Sequence, residues 1–443
     1  MHKLRRSLTT QTVITNYLSL ACGFLASLLL ARQLGPSGRG EVTAVYLWPQ
    51  TFVYLAGFGI EEASLYFSAR SQGRTGVILT NALLFTLVQC AVVIPLGFVL
   101  LPFLLSEQSS DVIRGSRVLL ATVPFAFLAL YGSNVLRGKL RIPYCNIIQL
   151  VFPVSTLVGI IWMTANHTLS LDNIVRLYLS AFVLVLVVTL GILLGLRIWN
   201  SFRLDWGMAK QMLVFGAKIQ PGAISQLANL RLDQMLMAAF LPAAQLGLYA
   251  VAVSASSITS VIPSAIRSVL TPTVAQGNYP GTEGAAGLEK RLHRYWLLNV
   301  AVGIALLVVI PWLLPLIYGS EFGPAVLPAE ILVVAAVLLG GKQILTGASY
   351  GLGTPFLVSQ AEIASLICTI VGLLLLLRPL GIIGAALTSL VAYGVSFLFL
   401  AYRLRRVHRL SLQAVLVPNG NDAVGLASRA RALILGMRQR MVH

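Results

Sequence analysis

Charge is what this sequence has least of. Asp, Glu, Lys and Arg make up only 10% of its 443 residues, against about a quarter in an ordinary soluble domain. That scarcity excludes a fold covered by water-facing side chains, because 57% of the residues are hydrophobic. Cysteine is also scarce. Cys22, Cys90, Cys145 and Cys368 are far apart, each inside an apolar run, which excludes a disulfide framework and a cysteine metal site. They read as small buried hydrophobes. The five histidines, at 2, 167, 293, 408 and 443, include no pair at metal-ligand spacing. No phosphate-cradling glycine loop of the P-loop type is present, so an ATP-driven pump would need a partner to supply the motor. Nothing assembles an enzyme site, and no cofactor is expected.

Acidic residues number 14 against 32 basic ones, a net charge of +18. Such a balance is the footprint of nucleic-acid binding only when the cations form a patch or stripe. Here they sit in short clusters between apolar stretches, as topology signals do, so no nucleic-acid partner is expected.

Long apolar runs are what the sequence does have. A helix needs about 20 mostly apolar residues to cross a bilayer. Helices are expected at 12–32, 42–69, 75–105, 115–135, 143–164, 173–198, 212–239, 244–270, 294–318, 326–350, 355–377 and 381–404. The fold class is therefore all-α integral membrane, with twelve spans. Met1–Arg6 looks like the charged start of a signal peptide. Ser7–Asn16 is mostly polar, however, and no small-residue cleavage site follows, so this segment reads as a retained first helix. With the N-terminus in the cytoplasm, the inner segments hold 22 Lys and Arg and the outer ones 6. The cation-rich side is the cytoplasmic one, which predicts both ends inside.

Leu34-Gly-Pro-Ser-Gly-Arg-Gly40 follows the first helix and Leu241-Pro-Ala-Ala-Gln-Leu-Gly247 the seventh, 207 residues later. This internal repeat predicts two parallel six-helix bundles, 1–198 and 212–404, joined by a linker at 199–211. The basic tail, 405–443, carries apolar and arginine residues mixed over Asp422–Met441. Either an interfacial helix on an anionic leaflet or a tail serving only topology fits that pattern.

Ionisable residues inside a membrane are costly and mark function by default. Glu61 and Glu62 interrupt the second helix. The seventh is the most polar: Lys218, Ser225, Gln226, Asn229 and Asp233 fall within an arc of roughly 100°, with Gln220 and Arg231 opposite. Pro221-Gly222 is expected to interrupt that helix. A polar stripe lining a water-filled cavity is the favoured reading, with interhelical hydrogen-bond glue as the alternative. Lys218 lies at a depth where it can pair with Glu61 or Glu62, or it can snorkel. Lys342 and Glu362 fall at one depth on either side of a turn and read as a structural ion pair rather than a substrate contact.

Four stretches carry a family resemblance: Ala31-Arg-Gln-Leu-Gly-Pro-Ser-Gly-Arg-Gly40, Gly57-Phe-Gly-Ile-Glu61, the spacing from Asp233 to Gly247-Leu-Tyr249, and Gly381-Ile-Ile-Gly-Ala-Ala386. With these the sequence resembles the polysaccharide flippases of the multidrug/oligosaccharidyl-lipid/polysaccharide exporter superfamily. The resemblance implies two six-helix bundles around a central cavity, alternating access and a lipid-linked oligosaccharide cargo. It also implies residence in a bacterial or archaeal plasma membrane, with membrane lipids, a polymerase and glycosyltransferases as partners. On that footing Lys218 is the favoured contact for the anionic head, with Ser225, Gln226 and Asn229 for sugars. Arg231 is a weaker second cation, and Arg267 meets the incoming cargo or is merely a topology charge. Asp233, Glu61 and Glu62 are the candidates for a coupling proton or sodium ion. Three rivals stand: a multidrug antiporter of the same superfamily, a peptidoglycan lipid-precursor flippase, and a membrane scaffold without transport.

Overall fold

A computed structural model describes residues 2–70, 73–199, 201–275 and 284–408. Within those ranges it describes all side chains except those of 2–10, 13, 221–223, 226, 272, 275 and 284–286. The expected interfacial helix at 422–441 and the side chain of Gln226 lie outside the described residues.

Every regular element among the described residues is helical. The first nine α-helices are α1 (His2–Ala56), α2 (Ile60–Arg70), α3 (Thr75–Leu104), α4 (Ser110–Leu119), α5 (Val123–Gly138), α6 (Ile142–Ala165), α7 (Leu171–Gly195), α8 (Trp206–Phe240) and α9 (Ala243–Ser256). They are followed by α10 (Val261–Ala275), α11 (Gly284–Tyr318), α12 (Val326–Gly351) and α13 (Pro355–His408). Among the described residues, nine continuous stretches are long and apolar enough to cross a membrane. Two of them, α1 and α13, are each a pair of spans reversed at one glycine, Gly35 (φ 66°) and Gly381 (φ 54°). A positive φ is open to glycine without the Cβ clash other residues meet. Dividing these hairpins and counting the polar α8 brings the crossings to the expected twelve.

The helix boundaries differ from the sequence expectation in physically instructive ways. The span expected at 42–69 is broken at Gly57-Phe58-Gly59, where Phe58 and Gly59 take φ values of 48° and 64°. Short 3₁₀ turns at Leu120–Thr122 and Ser257–Ser260 divide the fourth and eighth spans. The interruption expected at Pro221-Gly222 is absent, and α8 runs through it. Proline deletes only one backbone donor there, a loss that neighbouring helices in a bundle can absorb.

The chain forms two compact units. The first holds Met1–Ala255 together with Ile310–Glu330 and Thr369–Ser389; the second holds Ser256–Val309, Ile331–Cys368 and Leu390 onward. In the first, Ala26, Leu30, Val42, Ile160 and Ile174 form a packed cluster. In the second, Leu270, Leu292, Ile344, Ala361 and Leu400 belong to another. Large apolar side chains such as Phe103, Trp312 and Leu374 remain mostly exposed, which suits a surface facing hydrocarbon.

Within the first unit, the span ends opposite the N-terminus are tied together. A Cβ added to Gly40 would lie 1.7 Å from the Ala243 carbonyl oxygen and 2.9 Å from the Gly247 nitrogen. One added to Gly247 would lie 1.9 Å from the Pro36 oxygen. The two turns of the internal repeat therefore pack backbone to backbone. Arg32 donates from Nη2 to the Leu316 carbonyl at 2.8 Å and from Nε to that of Ile317. Gln108 donates to the carbonyls of Ala238 (3.0 Å) and Leu241 (2.9 Å), and Ser106 to that of Ala239. Under the 207-residue offset Arg32 corresponds to Ala239 and Leu316 to Ser109. The two clasps thus join corresponding segments of the two repeats.

Candidate functional site

The site begins with a backbone problem. Breaking a helix inside hydrocarbon strands its last carbonyls, and no water is there to pair them. At the Gly57–Gly59 break two glutamines do so. Gln220 of α8 donates to the carbonyls of Tyr54 (3.2 Å) and Leu55 (3.0 Å). Gln89 of α3 donates to those of Ala56 (2.8 Å) and Gly57 (3.2 Å), and is itself oriented by the Tyr131 hydroxyl at 2.8 Å. The α8 backbone closes on the break, since a Cβ on Gly216 would stand 2.2 Å from the Phe58 carbonyl. Glu61 and Glu62 follow in the first turn of α2, at the helix end where carboxylates are favoured. Glu61 is half-buried, and its Oε2 has no hydrogen-bond partner; Glu62 is exposed.

The two faces of α8 have different neighbours. Lys218 is exposed and forms no ion pair with Glu61 or Glu62. Asn229 is buried and Ser225 half-buried, each with interactions of its own. Asp233 accepts a 2.6 Å hydrogen bond from the Tyr249 hydroxyl and a 2.7 Å bond from the Gln234 backbone N–H. Tyr249 is fully buried in α9, so the acid is held from two directions. Arg231, on the opposite face, lines a cleft with Tyr46, Leu47, Gln50, Thr51, Tyr54 and Leu227. The helical wheel of α8 left this arginine second to Lys218; the cleft puts it among aromatic and amide groups.

Such a cleft has definite chemistry. A guanidinium offers a planar fork of donors to phosphate oxygens, tyrosine rings pack against apolar sugar faces, and amides bond hydroxyls. Tyr46, Gln50 and Tyr54 were not singled out from the sequence. Their four-residue spacing puts them on one face of a helix, a signal that was there to find. Gln89, Gln220 and Tyr249 carried no comparable signal, because their roles depend on a backbone break and a neighbouring helix.

The other candidates lie in the second unit. Arg267 is exposed on α10, where its backbone packs against Gly347 of α12: a Cβ there would stand 3.2 Å from the Arg267 Cα. Lys342 and Glu362 form an ion pair, with side chains only 9% and 22% exposed. Among the described residues no cluster of His, Cys, Asp and Glu is arranged to hold a metal.

Comparison with known proteins gives the geometry a context. One curated relative is the probable low-salt glycan biosynthesis flippase Agl15 of Haloferax volcanii. It is 22% identical over 404 residues, covering 88% of this chain and 81% of the relative. Among solved structures, lipid II flippase MurJ in an inward closed conformation superposes with a TM-score of 0.74. The identity is 12%, over 91% of this chain and 90% of the other. An inward-facing multidrug resistance MATE family transporter of the MOP superfamily gives 0.70, at 15% identity over 89% and 96%. These two likenesses establish the fold, that of a multi-pass membrane protein. The match to the polysaccharide biosynthesis protein family runs over residues 29–327, more than half the chain, and it makes this protein a member of that family.

Proposed function

We propose that this chain is a flippase that moves a lipid-linked oligosaccharide or polysaccharide precursor from the cytoplasmic to the outer leaflet by alternating access. The observation that carries the reading is the α1–α8 cleft, where Arg231 stands with Tyr46, Tyr54, Gln50 and Thr51. A phosphorylated glycan cannot cross hydrocarbon unaided, because its polar groups would lose their hydration. The cleft supplies partners for both parts of such a head group, while the lipid chain stays in the bilayer. Family membership and the flippase relative support the same reading.

Arg231 serves as the cation for the phosphate, and Lys218, Ser225, Gln226 and Asn229 extend the polar path on the other face of α8. Arg267 meets the cargo on arrival. The two bundles, 1–198 and 212–404, are the moving halves; both chain ends face the cytoplasm, as the 22-to-6 distribution of cations supports. Asp233, with Glu61 and Glu62, carries a coupling proton or sodium ion. A polymerase and glycosyltransferases are the protein partners. The cargo-facing cleft has a cation and no carboxylate among its lining residues, which disfavours a cationic drug and leaves the multidrug antiporter the weaker alternative. The peptidoglycan precursor shares the anionic head and is the second candidate cargo.

The test is complementation of a strain lacking its own polysaccharide flippase. Arg231→Ala is expected to abolish surface polymer at normal protein level, Arg231→Lys to restore part of it, and Lys218→Ala to reduce it less. Undiminished polymer from Arg231→Ala would overturn the reading of the cleft. Transport in proteoliposomes that ignores imposed proton and sodium gradients alike would remove the coupling roles of Asp233, Glu61 and Glu62.

A further inference from the structure

Arg39 lies at the turn between the first two spans, and the proposed transport path does not yet use it. Its Nη1 donates to the Thr43 hydroxyl at 2.6 Å and its Nη2 to the Ser27 hydroxyl at 3.1 Å. The Nε–H is buried with no partner. No carboxylate among the described residues comes within ion-pair distance of it. A half-buried guanidinium held by hydroxyls alone, with its Nε–H shut away from water, is an expensive arrangement for packing, because a charge withdrawn from water ordinarily takes an acid as partner.

The groups around it are donors too. Tyr318 is only 3% exposed, and its hydroxyl is buried beside Ser27 without a well-formed hydrogen bond. Tyr178 packs against the cluster that holds Ala26 and Val42, the one next to Ser27 and the other three residues from Arg39. Ser27 precedes the Gly35 reversal by eight residues and Tyr178 follows the Ser170 cap of α7 by eight. At about 1.5 Å per residue both lie about 12 Å below the span ends opposite the N-terminus. The cluster is also continuous with the cleft. Tyr46, a cleft residue near Arg231, packs edge-on against Tyr178 with ring centroids 5.3 Å apart.

We infer that Arg39, Ser27, Tyr178 and Tyr318 form a second anion station, which takes the phosphate or diphosphate group of the cargo as it passes from the Arg231 cleft toward the outer leaflet. The inference rests on the flippase reading above. Tyr318 comes from α11, beside the Leu316 and Ile317 carbonyls that Arg32 holds, whereas the other three groups come from α1 and α7. Parting the clasped ends therefore withdraws Tyr318 and turns the Arg39 donors toward the passage. The station closes again when the clasps re-form, which favours release of the anion.

The test is binding of farnesyl diphosphate to the purified full-length protein, by titration calorimetry at low and moderate salt. Inorganic pyrophosphate and phosphatidylglycerol micelles serve as separate arms. Arg39→Ala is expected to weaken farnesyl diphosphate binding at least tenfold and to flatten its salt dependence. Arg39→Lys should keep most of the affinity, and Tyr318→Phe, which preserves the packed ring, should lose about threefold. The same Arg39 dependence with inorganic pyrophosphate also supports the station and identifies the diphosphate itself as what is read. Arg39 dependence confined to phosphatidylglycerol overturns it in favour of a lipid-headgroup contact. Wild-type affinity in well-folded Arg39→Ala and Tyr318→Phe, with Arg231→Ala weakened, overturns the station and leaves the flippase reading standing. Failure of the wild-type protein to bind any diphosphate removes both.

Discussion

Gly40 and Gly247 stand against each other with no room for a side chain on either, and they occupy the same place in the two copies of the internal repeat. Ala243 and Pro36 place their carbonyls where each glycine's missing Cβ would be.

Gly40→Ala and Gly247→Ala are therefore expected to force these turns apart. The obstruction is backbone, which cannot rotate away, so the cost is put at about 2 kcal/mol or more. The measurement is thermal unfolding in detergent, together with labelling of a cysteine at Ser37 by a membrane-impermeant thiol reagent. Both substitutions should lower the melting temperature and speed the labelling. Gly23→Ala, where nothing stands within 4 Å, should do neither.

The glutamines at the α1–α2 break make a second prediction. Gln220→Leu would leave the carbonyls of Tyr54 and Leu55 unpaired, and Gln89→Leu that of Ala56, while Gly57 keeps the Ile60 N–H at 3.0 Å. Each is expected to cost about 1–3 kcal/mol, the range for a buried polar group deprived of its partner. Combining them should unfold the break locally, seen as faster amide hydrogen exchange at Ala63 and Ser64.

Lys342→Ala should destabilise strongly, by about 3–5 kcal/mol, because it leaves the Glu362 carboxylate without its cation in a largely buried place. Replacing both partners, as Lys342→Met with Glu362→Leu, should recover most of the melting temperature. If the pair is structural the double variant also transports. A stable double variant without transport would instead make one of the two a cargo or ion contact.

Tyr249→Phe removes one hydroxyl and leaves the ring packed, so Asp233 loses that hydrogen bond and keeps the one from the Gln234 backbone N–H. The fold should hold, with a loss of about 1–2 kcal/mol. If Asp233 couples transport to an ion, the gradient dependence of transport in proteoliposomes should shift while cargo binding stays the same. An unchanged gradient dependence would put Asp233 outside the coupling step.

What could be read from the sequence, and what could not, follows from the range of the forces involved. The twelve spans were legible because transfer into hydrocarbon depends on local composition. Gly40 and Gly247 were legible as a repeat, although not as a contact. The Gly57–Gly59 break was signalled by Glu61 and Glu62 but not located, since Gln89 and Gln220, which pair its carbonyls, come from elsewhere in the chain. The ranking of Lys218 over Arg231 came from a helical wheel, which orders residues relative to one another and does not say which face meets a neighbour. The neighbours of Arg231, Tyr46 and Tyr54, lie more than 170 residues from it in the chain, where no wheel of α8 can show them.

The two glutamines at the α1–α2 break have a consequence for motion. A carbonyl already bonded to an amide side chain can exchange that partner gradually, since the side chain follows by rotating about its own bonds. Bending at Phe58 need not pass through a state with bare carbonyls in lipid. A bend of the second span at this point would therefore meet little resistance from stranded carbonyls, beside the place where α8 packs on it through Gly216.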